Sequence, residues 1–131
     1  IENNLFDIAG VRVVCAFTED IYSLVNSFLS QDDVRLIEKK DYIQNPKENG
    51  YRSLHLIVEI PIFLSDEKKW IKVEVQFRTI AMDFWASLEH KIRYKKNLSK
   101  ERLDEIDKEL LECAKICKTL DEKMEEIKTG N

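Results

Sequence analysis

Apolar residues recur along this chain with two different periods, and the points where the period changes mark its elements. Val11 to Phe17 reads VRVVCAF, a β-branched run of the kind that fills a buried strand. Thr18-Glu19-Asp20 then offers a helix start ahead of IYSLVNSFL, so a strand followed by a helix is predicted. Val34 to Lys39 predicts a short strand and Ser53 to Ile60 (SLHLIVEI) a longer one, while Trp70 to Arg78 (WIKVEVQFR) alternates cleanly. The link Pro61 to Lys69 is short enough to join the last two as an antiparallel pair. From Ile80 to Lys95 the spacing becomes helical: Ile80, Phe84, Leu88 and Ile92 fall on one stripe, the face expected to lie on the sheet. Phe84 and Trp85 are both read as core. The pattern describes an α/β or α+β sheet domain.

A last helix is predicted from about Ser99 to Lys128, and it differs in kind. Leu103, Ile106, Leu110, Cys113, Cys117, Leu120, Met124 and Ile127 recur in alternating steps of three and four, the seam of a coiled-coil-like helix. Such a seam needs a partner, which is either another helix of this chain or a second subunit.

Composition narrows the function classes. The 131 residues most simply make one domain, and 21 Lys+Arg against 25 Asp+Glu leave a net charge of -4. That balance argues against a protein built to coat nucleic acid through its overall charge, and no DNA partner is expected. Acids outnumber bases after Leu98, so a polyanion site belongs in the first two-thirds. The three cysteines, Cys15, Cys113 and Cys117, suggest reduced thiols, and their positions fit apolar packing better than a metal site. No apolar run approaches the ~20 residues of a membrane span and the N-terminus lacks signal-peptide character, so a soluble, cytoplasmic protein is expected. Neither a P-loop nor a G-x-G-x-x-G pattern is present, the glycines being Gly10, Gly50 and Gly130. Bound nucleotides would be held by side chains.

Two segments carry candidate chemistry. Between Lys40 and His55 (KDYIQNPKENGYRSLH), the turn signals Asn45-Pro46 and Asn49-Gly50 allow Lys40, Lys47, Arg52 and His55 to converge, with Tyr51 beside them. Bases beside an aromatic suit an anion that carries a flat ring. In WIKVEVQFRT, alternation puts Val73, Val75 and Phe77 on one face and Glu74, Gln76 and Arg78 on the other. That polar face either lines a solvated cleft, where a carboxylate can hold Mg²⁺ and an arginine can meet phosphate, or is an exposed sheet surface. Asp7, at the entry to the first strand, supplies a second carboxylate, with Gly10 and Arg12 close behind.

Taken in order, DIAGVRV, KDYIQNPKENGYRSLH and VEVQFRTIAMDFWASLEHK resemble the RelA/SpoT-type alarmone synthetases, most closely their small single-domain members, over about Asp7 to Lys96. The resemblance implies a mixed, largely antiparallel sheet flanked by helices, related to nucleotidyltransferases. It also implies a GTP pyrophosphokinase of the stringent response, which moves pyrophosphate from ATP to the 3′-hydroxyl of GTP or GDP to make (p)ppGpp. Carried over by position, Asp7 and Glu74 would hold Mg²⁺, with Glu74 near the attacking hydroxyl as its base. Arg12 would stack on adenine and Tyr51 on guanine, with Asp83 near the guanine's polar edge. Lys40, Lys47 and His55 would face the acceptor's phosphates. Gln76 and Arg78, which share Glu74's face, either support the groups that touch substrate or belong to an exposed strand face. Some relatives carry Asn where this chain has Asp83.

The resemblance divides the chain into a synthetase core over 1–97 and a C-terminal amphipathic helix over 98–131, the latter a possible oligomer contact, with a tetramer as one form. Relatives place basic residues that grip the ATP triphosphate ahead of the DIAG motif, so the core is expected to be N-terminally incomplete and the chain a fragment. Two alternatives remain open: a catalytically impaired, nucleotide-binding regulatory module, and a pyrophosphokinase acting on another 3′-hydroxyl. RNA contact is left open as well.

Overall fold

A strand that alternates apolar and polar residues offers the core one face only, and the longest strand here does so at the centre of a sheet. The structure, a computed structural model, describes residues 8–93 and 98–130. Its element order is β1 (Ile8–Cys15), α1 (Thr18–Leu29), β2 (Arg35–Asp41), β3 (Leu54–Phe63), β4 (Lys68–Thr79), α2 (Ile80–Arg93) and α3 (Lys100–Gly130). The strands form one sheet in the order β1-β4-β3-β2, with β1 parallel to β4 and the other pairs antiparallel. The mixed, largely antiparallel sheet flanked by helices is as expected. The β3–β4 hairpin is longer than the sequence suggested, because its pairing runs on to Phe63 and Lys68.

Parity along β4 separates the two faces. Val73, Val75 and Phe77 face the core, where Leu54, Leu56 and Val58 of β3 join Ile21 and Val25 of α1 and Met82 of α2. A second apolar cluster lies between α2 and α3, built from Trp85, Ala86, Ile106, Leu110, Ala114 and Cys117. Trp85 anchors it by donating its indole N–H to the carbonyl of Leu110 at 2.8 Å.

This anchor reverses the expected orientation of α2. Two apolar stripes overlap on that helix, and the one carrying Met82, Trp85 and Ala86 is buried. Trp85 is core as expected, but Ile80, Phe84 and Leu88 are exposed, and of the predicted stripe only Ile92 packs inward. Burying the larger indole with its N–H satisfied wins over burying Phe84.

The long helix answers its question in halves. Ile106, Leu110, Ala114, Cys117 and Asp121 face the same chain, so the seam's partner over this stretch is internal. Ala114 takes the place predicted for Cys113, which is exposed. Leu120, Met124 and Ile127 are exposed together with Ile116. With Ala16, Phe17, Ile80, Ala81 and Phe84, three of these line a largely apolar groove of about 570 Å³ between α2 and α3.

Gly50 sits where α3 meets the loop that follows β2. Its φ is +100°, a left-handed conformation that side chains resist. A Cβ there would lie 2.6 Å from the Cβ of Ala114. Gly50→Ala should therefore destabilise by roughly 1–3 kcal/mol in denaturant titration, whereas Gly10→Ala, with nothing within 4 Å of the added carbon, should stay within about 0.5 kcal/mol.

Candidate active site

The polar face of the sheet gathers candidates from all four strands. Strand register sets Arg12 (β1) beside Gln76 (β4), Gln76 beside His55 (β3), and His55 beside Lys40 (β2), one row across the sheet. Glu74 lies one step along, flanked by Gly10 and Ile57. The cleft reading of the Glu74-Gln76-Arg78 face is therefore supported by convergence and not by strand parity alone.

The loop between β2 and β3 is shaped by its own Asp and Asn residues. Asp41 Oδ1 accepts from the backbone N–H of Ile43 at 2.9 Å and of Gln44 at 3.0 Å, an Asx turn that redirects the chain. Its other oxygen accepts from the Tyr22 hydroxyl at 2.8 Å. Burial, followed by this bond, pushes the Tyr22 phenol well above its ordinary pKa. Asn49 Oδ1 accepts the N–H of Tyr51 at 3.0 Å, and Gly50 N–H donates to the Lys47 carbonyl at 2.9 Å. The turn thus returns Tyr51 to the sheet. The Lys47 ammonium lies 4.9 Å from the Tyr42 ring centre and 5.4 Å from that of Tyr51.

Tyr51 is half-buried, and its hydroxyl is a junction. Ser53 Oγ donates to it at 2.8 Å and Arg78 Nη2 at 3.2 Å, while His55 Nε2 lies 2.9 Å away. A phenol has one proton and two lone pairs, so with both lone pairs filled the proton goes to His55 Nε2. The imidazole then carries its own proton on Nδ1, which faces Glu74 Oε2 at 3.8 Å. Arg78 also donates to Gln76 Oε1 and to Asp83 Oδ1, each at 2.9 Å, and Arg12 lies 3.5 Å from the same Asp83 oxygen. One connected network therefore joins Arg12, Asp83, Arg78, Gln76, Tyr51, His55 and Glu74. Lys40 stands at the end of the row, 3.6 Å from Glu38.

Two candidates depart from expectation or lie beyond reach. Arg52 does not join the site: buried, it turns the other way and meets Asp121 of α3 at 3.1 Å. Asp7 lies outside the described residues, so its pairing with Glu74 does too, and among the described residues no group of three metal-ligating side chains gathers. Glu74 itself suits a hard cation, being a half-exposed carboxylate on the open face whose charged partner among the described residues is His55. Sequence reasoning undervalued Arg78 and missed Ser53; the parity shared by Arg78 and Glu74 was the available signal for the first.

Burial holds the His55 imidazole below its ordinary pKa of 6.5; Glu74 pulls it upward, and Lys47, Arg78 and Lys40 push it down. The unfolded chain therefore takes up this proton first as pH falls, so folding stability declines as pH drops through about 6.5. His55→Asn should flatten that part of the stability profile in chemical denaturation; an unchanged slope would assign it to another group.

Comparisons with known proteins identify the family. Residues 1–99 match the family described as a region found in RelA / SpoT proteins, and the chain belongs to that family. It is 53% identical over 127 residues to the GTP pyrophosphokinase YwaC of Bacillus subtilis (strain 168), covering 97% of this chain and 60% of that protein. The fold matches the crystal structure of small alarmone synthetase 2 from Bacillus subtilis with a TM-score of 0.84 and 52% identity, over 93% of this chain and 65% of that one. Small alarmone synthetase 1 from Bacillus subtilis, crystallised with its product pppGpp, matches with a TM-score of 0.78 and 35% identity, over 89% of this chain and 58% of that one. The chain thus spans about three-fifths of the length of these relatives.

Proposed function

We propose that this chain is the catalytic core of a GTP pyrophosphokinase, transferring pyrophosphate from ATP to the 3′-hydroxyl of GTP or GDP. The observation that carries the reading is the single network from Arg12 to Glu74, which sets cations, a half-buried aromatic and a partly exposed carboxylate on one open sheet face. The product bound to small alarmone synthetase 1 is a nucleotide of the expected class.

In this reading Tyr51 provides a platform for the guanine, worth ~1–3 kcal/mol per stacked base, and Asp83 accepts from its N–H groups. Lys40, Lys47 and His55 meet the acceptor's phosphates. Arg12 leaves its exposed ion pair with Asp83 to stack on adenine, a step of low cost because such pairs contribute only about 0–1 kcal/mol. Asp7 and Glu74 would hold Mg²⁺, which when bound supplies charge neutralisation at the transferred phosphates. Glu74 takes the proton of the 3′-hydroxyl as its oxygen attacks the β-phosphorus of ATP, the bond from that phosphorus to the α-phosphate bridge breaks, and AMP departs. Catalysis of this kind depends chiefly on alignment and charge.

Glu74→Gln should lower transfer from labelled ATP by about 10²–10⁴-fold, with calorimetric GTP affinity retained. Undiminished transfer in that variant removes Glu74 from the mechanism. If the complete wild-type polypeptide binds GTP tightly without transfer, the protein is a regulatory module instead.

The same reading places the protein in the cytoplasm, and no helix among the described residues is long and apolar enough to cross a membrane. Assembly into a homo-oligomer through α3 is part of the proposal, supported by exposed Ile116, Leu120, Met124 and Ile127. Replacing Leu120 and Ile127 by Glu should reduce the sedimenting mass to that of one chain; an unaltered mass assigns assembly to another surface.

A further inference from the structure

We propose that Arg78 is a positioning residue that fixes the acceptor half of the site, acting through the Tyr51 hydroxyl and the Asp83 carboxylate; the inference rests on the acceptor roles proposed above for those two residues. Arg78 ends the polar face of β4, where its side chain is only 9% exposed. It is therefore poorly placed to grip a substrate. What it does touch are three side chains from three different segments: Tyr51 from the loop after β2, Gln76 from β4 and Asp83 from the first turn of α2. Its Cζ also lies 5.6 Å from the Tyr51 ring centre.

Each contact has a directional consequence. By donating to the phenol oxygen alongside Ser53, Arg78 leaves the Tyr51 proton with His55 Nε2 as its acceptor, which pins the hydroxyl end of the ring and sets the His55 tautomer. By donating to Asp83 Oδ1, Arg78 engages that oxygen and leaves the second carboxylate oxygen as the one to meet a ligand. That oxygen can accept from a purine whose ring N1 carries a proton beside an exocyclic amino group, as in guanine; adenine offers its exocyclic amino group alone, its N1 being an acceptor that a carboxylate repels. A guanidinium can hold these acceptors in one rigid plane, whereas an ammonium is a point charge on a flexible stem. The enclosed Nε of Arg78 has no hydrogen-bond partner among the described residues, so the fork is kept although one of its donors is left unsatisfied.

The test uses the complete polypeptide and steady-state kinetics with ATP and GTP, with thermal melting alongside, for wild type, Arg78→Lys, Tyr51→Phe and the double variant. Transfer by the wild type is the control for the underlying reading; its absence counts against that reading, separately from the role of Arg78. Given transfer, Arg78→Lys should raise the KM for GTP about tenfold, one hydrogen bond's worth or more, and leave the KM for ATP within about twofold. In the Tyr51→Phe background, the same substitution should have a clearly smaller effect, since coupled residues are not additive. Equal shifts in both KM values, a fall in kcat alone, or independent effects in the two backgrounds would overturn the proposal. If Arg78→Lys does not fold, Tyr51→Phe decides alone: an unchanged KM for GTP overturns the inference, and a selective rise sustains it.

Discussion

A buried ion pair ties the site to the rest of the molecule. Arg52 and Asp121 are both more than nine-tenths buried, 69 residues apart in sequence, and meet at 3.1 Å. The same Asp121 oxygen accepts from Thr79 Oγ1 at 2.9 Å, and Thr79 Oγ1 in turn accepts the N–H of Met82 at 3.1 Å, which caps α2. One carboxylate therefore joins the site loop, the end of β4, the start of α2 and the C-terminal half of α3. Removing one partner of such a pair leaves a charge stranded in the interior, at a cost of about 3–5 kcal/mol. Tyr51 is the residue before Arg52, so the position of the aromatic platform follows from that anchor.

The sheet divides the labour between stability and chemistry. Its apolar face packs on α1 and its polar face carries the row Arg12, Gln76, His55 and Lys40. The same period-two alternation that hides Val73, Val75 and Phe77 delivers Glu74, Gln76 and Arg78 to the opposite side. A site built this way inherits the rigidity of a central strand. The loop supplies what a strand cannot, a ring and an ammonium brought back over the sheet by the turn at Gly50.

Much of this was legible in the sequence, for identifiable reasons. Strand parity placed Glu74 with Gln76, the Asn49-Gly50 signal located the turn, and the three motifs in order pointed to the family. The misreadings share a cause: each required knowing which of two physically acceptable partners was present. On α2 two apolar stripes compete, and only the bond from Trp85 to Leu110 decides between them. In sequence Arg52 groups with the site bases, because its partner, Asp121, lies 69 residues away and carries no local signature. Along α3 the heptad-like spacing describes one seam, whereas the internal contacts follow Ala114 and Asp121 and leave Leu120, Met124 and Ile127 to the other side.

The groove between α2 and α3 has a thermodynamic corollary. Ile80, Phe84, Ile116, Leu120 and Met124 present their side chains to water along one concave surface. Covering that surface releases ordered hydration, so any association that seals it carries a negative heat-capacity change. Such an association weakens on cooling, as hydrophobic burial does in general.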